Sequence, residues 1–206
     1  TASYSLAGPS RLPVVKYSVM WTVYGTGEIG VSVAAEVRKN IKSLPRFGMM
    51  LVMPKGFENV TYFGRGPVSS YSDMKNASKL GLFNSTVTDE YTKYIFPQET
   101  GNHIDCRYAA VYDLEGRGLL FKGMPVFNFS SLHYTPKMLD AAPHDKDLVP
   151  LEETVIHIEY KQNGIGSHSC GPELNPKYEF NEKEFVYSFV IKPMMVYGDN
   201  IVREAR

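Results

Sequence analysis

Three stretches gather the residue types that chemistry requires. In TYFGRGPVSSYSDM, Thr61 to Met74, glycines flank Arg65, Pro67 follows Gly66, and Tyr71 and Asp73 lie a few positions on. Such an arginine can donate to sugar hydroxyls or to a carboxylate, and the glycines allow unusual backbone angles or close approach. The stretch is not a phosphate loop, because it lacks a Gly-Lys-Ser/Thr ending and no helical pattern follows it. In YIFPQETGNHIDCR, Tyr94 to Arg107, Glu99 and Asp105 are carboxylates of the type that cleave glycosidic bonds, and His103 could act as a base. The alternative is a network in which Glu99 or Asp105 meets Arg107 and satisfies turn amides. In QNGIGSHSCGPELNPKY, Gln162 to Tyr178, Gly164 and Gly166 suit tight turns, and the adjacent His168 and Ser169 form no nucleophile elbow. Tyr62, Phe63, Tyr71 and Tyr94 offer aromatic faces for a sugar, or serve as core.

Other chemistries are disfavoured. Cys106 and Cys170 are the only cysteines and fit no zinc spacing. They read as buried thiols or as one long-range disulfide. His133 and His144 bracket a short helical pattern and suit capping or hydrogen bonding. The 206 residues carry 22 basic and 22 acidic side chains, so the basic excess expected of a nucleic-acid binder is missing. No apolar run is long enough to cross a membrane as a helix, and TASYSLAGPSRLP has no signal-peptide pattern. The expectation is therefore a chain without nucleic-acid or membrane partners.

The elements that must position these residues alternate with period two. Tyr17, Val19, Trp21 and Val23 share one face, Lys16, Ser18, Met20 and Thr22 the other. After Gly25-Thr26-Gly27, Ile29, Val31, Val33 and Ala35 keep step, which predicts a hairpin. Further strands are predicted in RFGMMLVMP, VTYFG, CRYAAVYD, GLLFKG, VFNFSSLHY, TVIHIEYKQ and EFVYSFVIKP, with Leu114-Glu115-Gly116-Arg117 turning a second hairpin. TPKMLDAAPH predicts a short helix, capped by Thr135, started by Pro136 and ended by Pro143; TDEYTKY gives a weaker helical signal. Both chain ends read as polar segments. The pattern predicts an all-β fold of two packed antiparallel sheets with one short helix, one domain over residues 1–206.

YFGRGPVSSYSDM, YTKYIFPQETGNHIDCR, FNFSSLHYTPKMLDAAPH and NGIGSHSCGPEL, in that order, resemble the C-terminal small-chain domain of the large bacterial β-galactosidases of glycoside hydrolase family 2. The resemblance runs from about Val14 to Pro193. It implies a large β-sandwich of the galactose mutarotase type and a C-terminal fragment of a larger hydrolase. It also implies that the two catalytic glutamates lie on a TIM-barrel domain, in the same or a partner chain, for which this chain has no room. No residue here is then catalytic. The chain needs no cofactor of its own, the Mg and the Na or K of intact family members being bound elsewhere, and the substrate is a β-galactoside. Bacterial cytoplasm and periplasm both remain open. Carried over by position, Arg65, Gly66, Pro67, Tyr71 and Asp73 form a loop at the sugar-binding mouth, with His103 and Cys170 beside it. Ser69 stands where the family has glutamate, Met74 and His103 where it has arginine, and Cys170 where one member has a stacking tryptophan. A freestanding carbohydrate-binding sandwich and a mutarotase-like epimerase are the alternatives.

Overall fold

The computed structural model describes residues 1–166, 172–196 and 200–205. Its strands are β1 (Ala2–Leu6), β2 (Val15–Val23), β3 (Ile29–Val37), β4 (Arg46–Met53), β5 (Asn59–Gly66), β6 (Lys79–Thr86), β7 (His103–Tyr112), β8 (Arg117–Leu132), β9 (Thr154–Gln162) and β10 (Glu184–Met195). All pair antiparallel, as an all-β sandwich requires. The β2–β3 hairpin forms where alternation predicted it, burying Val15, Val19, Val31, Val33, Ala35 and Val37. Gly27 takes the left-handed φ of 84° in its turn, a conformation that glycine adopts without strain. Trp21 and Val23 share Val19's face but stay exposed.

The sheet order is β1-β2-β3-β10-β8-β7-β5-β6, and the sheet forks at β8. One edge of β8 follows β7. Along its other edge, Arg117–Met124 pair with β10 and Asn128–Leu132 pair with β9, which in turn pairs with β4. The sequence pattern predicts two strands here, GLLFKG and VFNFSSLHY; they are one continuous 16-residue strand. The backbone folds so closely at the change of partner that a Cβ on Gly123 would lie 2.8 Å from Val126 Cα. The two arms, β10-β3-β2-β1 and β9-β4, then face each other. Phe47 of β4 packs edge-on against Phe185 at 5.1 Å and Tyr17 at 5.5 Å, and Tyr160 of β9 stacks on Phe185 at 4.5 Å. Each such pair adds about 0.5–1.5 kcal/mol beyond the area it buries. Past these rings the arms end in β1 and β4, and an open cleft of about 500 Å³ runs along the outer edge of β4.

Helix α1 (Pro136–Ala141) is where its cap predicted, Thr135 Oγ1 accepting from the Met138 N–H at 3.2 Å. Three further elements depart from expectation. β1 and β6 form in stretches without a strong alternating signal. A second short helix, α2 (Ile201–Glu204), capped by Asn200, occupies what reads as a polar tail. TDEYTKY forms a turn, residues 87–90, and then irregular chain.

Candidate functional site

The Arg65 loop leaves the buried end of β5. Gly66 lies against the Tyr62 hydroxyl and the Phe83 ring, so any Cβ there would collide with both. Beyond the Gly66–Pro67 bond, which is cis, the chain zips onto the segment before β7. Ser70 N–H donates to the Asn102 carbonyl at 2.7 Å, Asn102 Nδ2 to the Ser70 carbonyl at 2.8 Å, and Ile104 N–H to Ser70 Oγ at 3.0 Å. Ser69, in the place of the family's glutamate, accepts from the Gly101 N–H at 3.0 Å. Arg65 Nε donates to Asp105 Oδ2 at 2.6 Å, with Lys75 Nζ 3.7 Å from the same oxygen. Asp105 holds a left-handed φ of 57°, uncommon without a glycine, where the β7–β8 register slips. Such a bulge re-aims a side chain, here toward Arg65.

His103 lies fully buried beneath this loop, stacked on Tyr62 at 4.1 Å between ring centroids. Its Nδ1 is 2.9 Å from the Arg65 carbonyl, which can only accept, so Nδ1 carries a proton. Its Nε2 is 2.5 Å from Glu90 Oε2, a hydrogen-bonded pair closed off from solvent. A residue that the sequence offers as a base is thus the loop's internal support. Cys106, opposite Gly64, is a buried thiol that burial pushes well above the usual range, so it is chemically quiet.

Asp73 ties this loop to the next one. Its two carboxylate oxygens accept from Ile165 N–H at 3.2 Å and Gly166 N–H at 2.8 Å. Gly164 and Gly166 are needed for that grip, since Cβ atoms there would sit 2.6 and 2.9 Å from the Asp73 carboxylate group. Asp73→Ala is expected to loosen the loop by about 1–3 kcal/mol, the cost of orphaning two amides. Hydrogen exchange at Ile165 and Gly166 should speed up while exchange in β2 and β3 does not.

A second cluster was not foreseen. Arg46, at the start of β4, donates through Nε to Glu159 and through Nη1 to Glu99, each at 2.6 Å. Gln162 Nε2 donates to the other Glu159 oxygen at 2.7 Å and to Asn102 Oδ1 at 3.2 Å, which links the cluster to the Arg65 loop. Burial pushes the carboxyls of Glu99 and Glu159 upward, and Arg46 opposes it. Burial works against the Arg46 charge too, but the two carboxylates outweigh it and raise its pKa. Burial and the nearby Arg46 charge hold His157 down at about 3, so it is neutral. A signal for this cluster was in the sequence: a glutamate inside the apolar run TVIHIEY must be buried with a partner.

The structure thus brings Arg65, Gly66, Pro67, Tyr71 and Asp73 into one loop and sets His103 under it. Tyr71 is buried with its hydroxyl toward the Arg46 cluster, and burial raises its pKa. Cys170 lies outside the described residues, although the Gly164–Gly166 segment leading to it is the one Asp73 holds. The two proposed carboxylates do not form a pair: Glu99 is bound to Arg46 and Asp105 to Arg65. Arg107 joins neither and sits over the Phe63 ring at 5.4 Å. Tyr62 is core, and Phe63 stacks on Tyr108. His133 binds Glu58 and the Glu153 carbonyl, and His144 binds Asp147, as hydrogen-bonding roles predict. Beside Tyr71, a depression of about 170 Å³ is lined by Lys75, Asp105, Asn128, Lys161 and the buried Gln162, a polar surface suited to hydroxyl-rich ligands.

Fold and loops together define an antiparallel β-sandwich with a polar depression beside a glycine-proline loop. The sequence profile of the family described as "Beta galactosidase small chain" matches residues 1–191. The chain is 39% identical over 180 residues to a β-galactosidase of Staphylococcus xylosus, covering 87% of this chain and 18% of that protein. It is 32% identical over 178 residues to one of Priestia megaterium and 33% over 180 residues to one of Actinobacillus pleuropneumoniae, covering 85% and 87% of this chain and 17% of each relative. The chain belongs to the β-galactosidase small-chain family. It spans less than a fifth of the length of these relatives.

Proposed function

We propose that this chain is the non-catalytic small-chain module of a retaining, β-galactosidase-like enzyme of glycoside hydrolase family 2, shaping the mouth through which a β-galactoside enters. The observation that carries this reading is the engagement of the carboxylates around the mouth. Retaining hydrolysis needs an acid and a nucleophile about 5–5.5 Å apart with the bond between them. Here Asp105 is held by Arg65, Asp73 by backbone amides, and Glu99 and Glu159 by the same Arg46. Chemistry then falls to a barrel domain in the same or a partner chain. The Mg and the Na or K that intact family members use serve, in this reading, that enzyme's other domains.

In this reading Arg65 and Asp105, both partly exposed, face the mouth; Tyr71 and His103 hold the loop, and the Ile165–Gly166 segment gripped by Asp73 adjoins it. An aryl β-galactoside assay tests it. The intact polypeptide should hydrolyse the substrate and the 206-residue chain alone should not. Arg65→Ala in the intact enzyme should raise KM more than it lowers kcat. Turnover by the isolated chain, or an intact polypeptide that cleaves another glycoside but no galactoside, would refute it.

A further inference from the structure

We infer that the outer edge of β4 is an acceptor for one extended strand, apolar on the face turned to Tyr4, Leu6 and Trp21, supplied by a part of the same larger polypeptide outside residues 1–206. The inference rests on the reading of this chain as a module of a longer enzyme, its relatives being about five times its length. Among the described residues β4 pairs only with β9, so its other edge offers unpaired N–H and C=O groups. Natural sheets protect such edges with charge, proline or a short length. From Phe47 to Met53 this edge has no charged residue and no proline, and Met50 and Val52 are 54% and 56% exposed.

The surroundings suit a strand rather than a flat surface. The cleft follows this edge from Arg46 to Met50 and has two unlike walls. Tyr4, Leu6 and Trp21 belong to the facing arm, while on the opposite face Met50 and Pro136 lie beside Arg46, His157 and Glu159. A strand paired with β4 sends alternate side chains to its two faces, so apolar residues toward the facing arm and polar or mixed ones on the other side would each find a wall. Arg46 Nη2, at the start of the same edge, is buried without an acceptor among the described residues, and an incoming carbonyl or side-chain oxygen would satisfy it. A second copy of this chain is the competing occupant, and a dependence on concentration separates the two.

Hydroxyl-radical footprinting of the intact polypeptide tests this, with Met124, 60% exposed and away from the cleft, as internal reference. Oxidation of Met50 and Trp21 should fall about tenfold below the rate their exposure here predicts relative to Met124, the factor expected when access requires local opening. That protection should not change with protein concentration or with added galactoside. Met50→Lys should abolish it at Trp21. Labelling of Met50 at the Met124 rate would overturn the inference. So would protection that grows with concentration, which marks a second copy, or protection that needs galactoside, which marks a sugar pocket. The readout does not depend on turnover: an inactive but protected polypeptide refutes the galactosidase reading alone, and an active, unprotected one refutes the strand acceptor alone.

Discussion

Replacing Arg46 with methionine is expected to destabilise the protein by about 3–5 kcal/mol at neutral pH, the usual cost of leaving a buried charge without its partner. Two carboxylates lean on this one guanidinium, and Glu159 is almost wholly buried. Methionine fills the space of the side chain but leaves Glu99 and Glu159 to be neutralised by protons. Burial already raises both carboxyl pKa values above their ordinary range. The sign follows: a carboxyl raised in the folded state contributes stability below its unfolded pKa and loses it as pH rises through the folded value. The penalty in Arg46→Met should therefore shrink on acidification, and Glu99→Gln with Glu159→Gln in the same chain should recover most of it. Urea unfolding at neutral and acidic pH, with hydrogen exchange in β4 and β9, measures both effects. A penalty indifferent to pH and to the glutamine pair would show that Arg46 acts through packing alone.

His157 gives the second large effect, in the opposite direction. Its folded pKa of about 3 lies well below that of an unfolded histidine. Its stabilising contribution is complete above the unfolded value of about 6.5 and is lost as pH falls toward the folded value, at about 1.4 kcal/mol per pH unit. Between roughly pH 6.5 and 4.5 the loss amounts to about 3 kcal/mol. Arg46 and Glu159 are the charged groups on its face, and Ser130 Oγ lies 3.4 Å from its Nδ1. His157→Gln keeps a hydrogen-bonding side chain but cannot take up the proton. The difference between the two chains in unfolding free energy, followed across this range, isolates the effect. An equal slope in both would mean that His157 gains a proton without cost.

Period-two alternation exposed most of this fold because a strand with one buried face must alternate. It failed where that premise fails. In β6 both faces are largely accessible, and β1 alternates for only five residues, Ala2, Tyr4 and Leu6 against two serines, in a mostly exposed edge strand that reads as a polar end. Gly123-Met124-Pro125 reads as a break because glycine and proline usually end strands, yet here they mark a change of neighbour. Thr135 and Pro136 made α1 legible because caps are local chemistry. The Arg65 loop was legible for the same reason, its glycines and proline standing side by side. The Arg46 cluster was not, since Arg46 and Glu159 are 113 positions apart and only the finished sheet brings them together. For His103 the sequence leaves a base and a structural hydrogen-bonding role both open, because nothing local says that Glu90 and the Arg65 carbonyl will enclose it.

One consequence of the shared β8 concerns where this polypeptide can be cut. Its first half is laced to β10 and its second to β9, so scission anywhere between Arg117 and Leu132 would leave β7 alone to hold the two arms together. Breakpoints for fragment reassociation or permuted termini belong in the Asp113–Gly116 turn, which leaves that lacing whole.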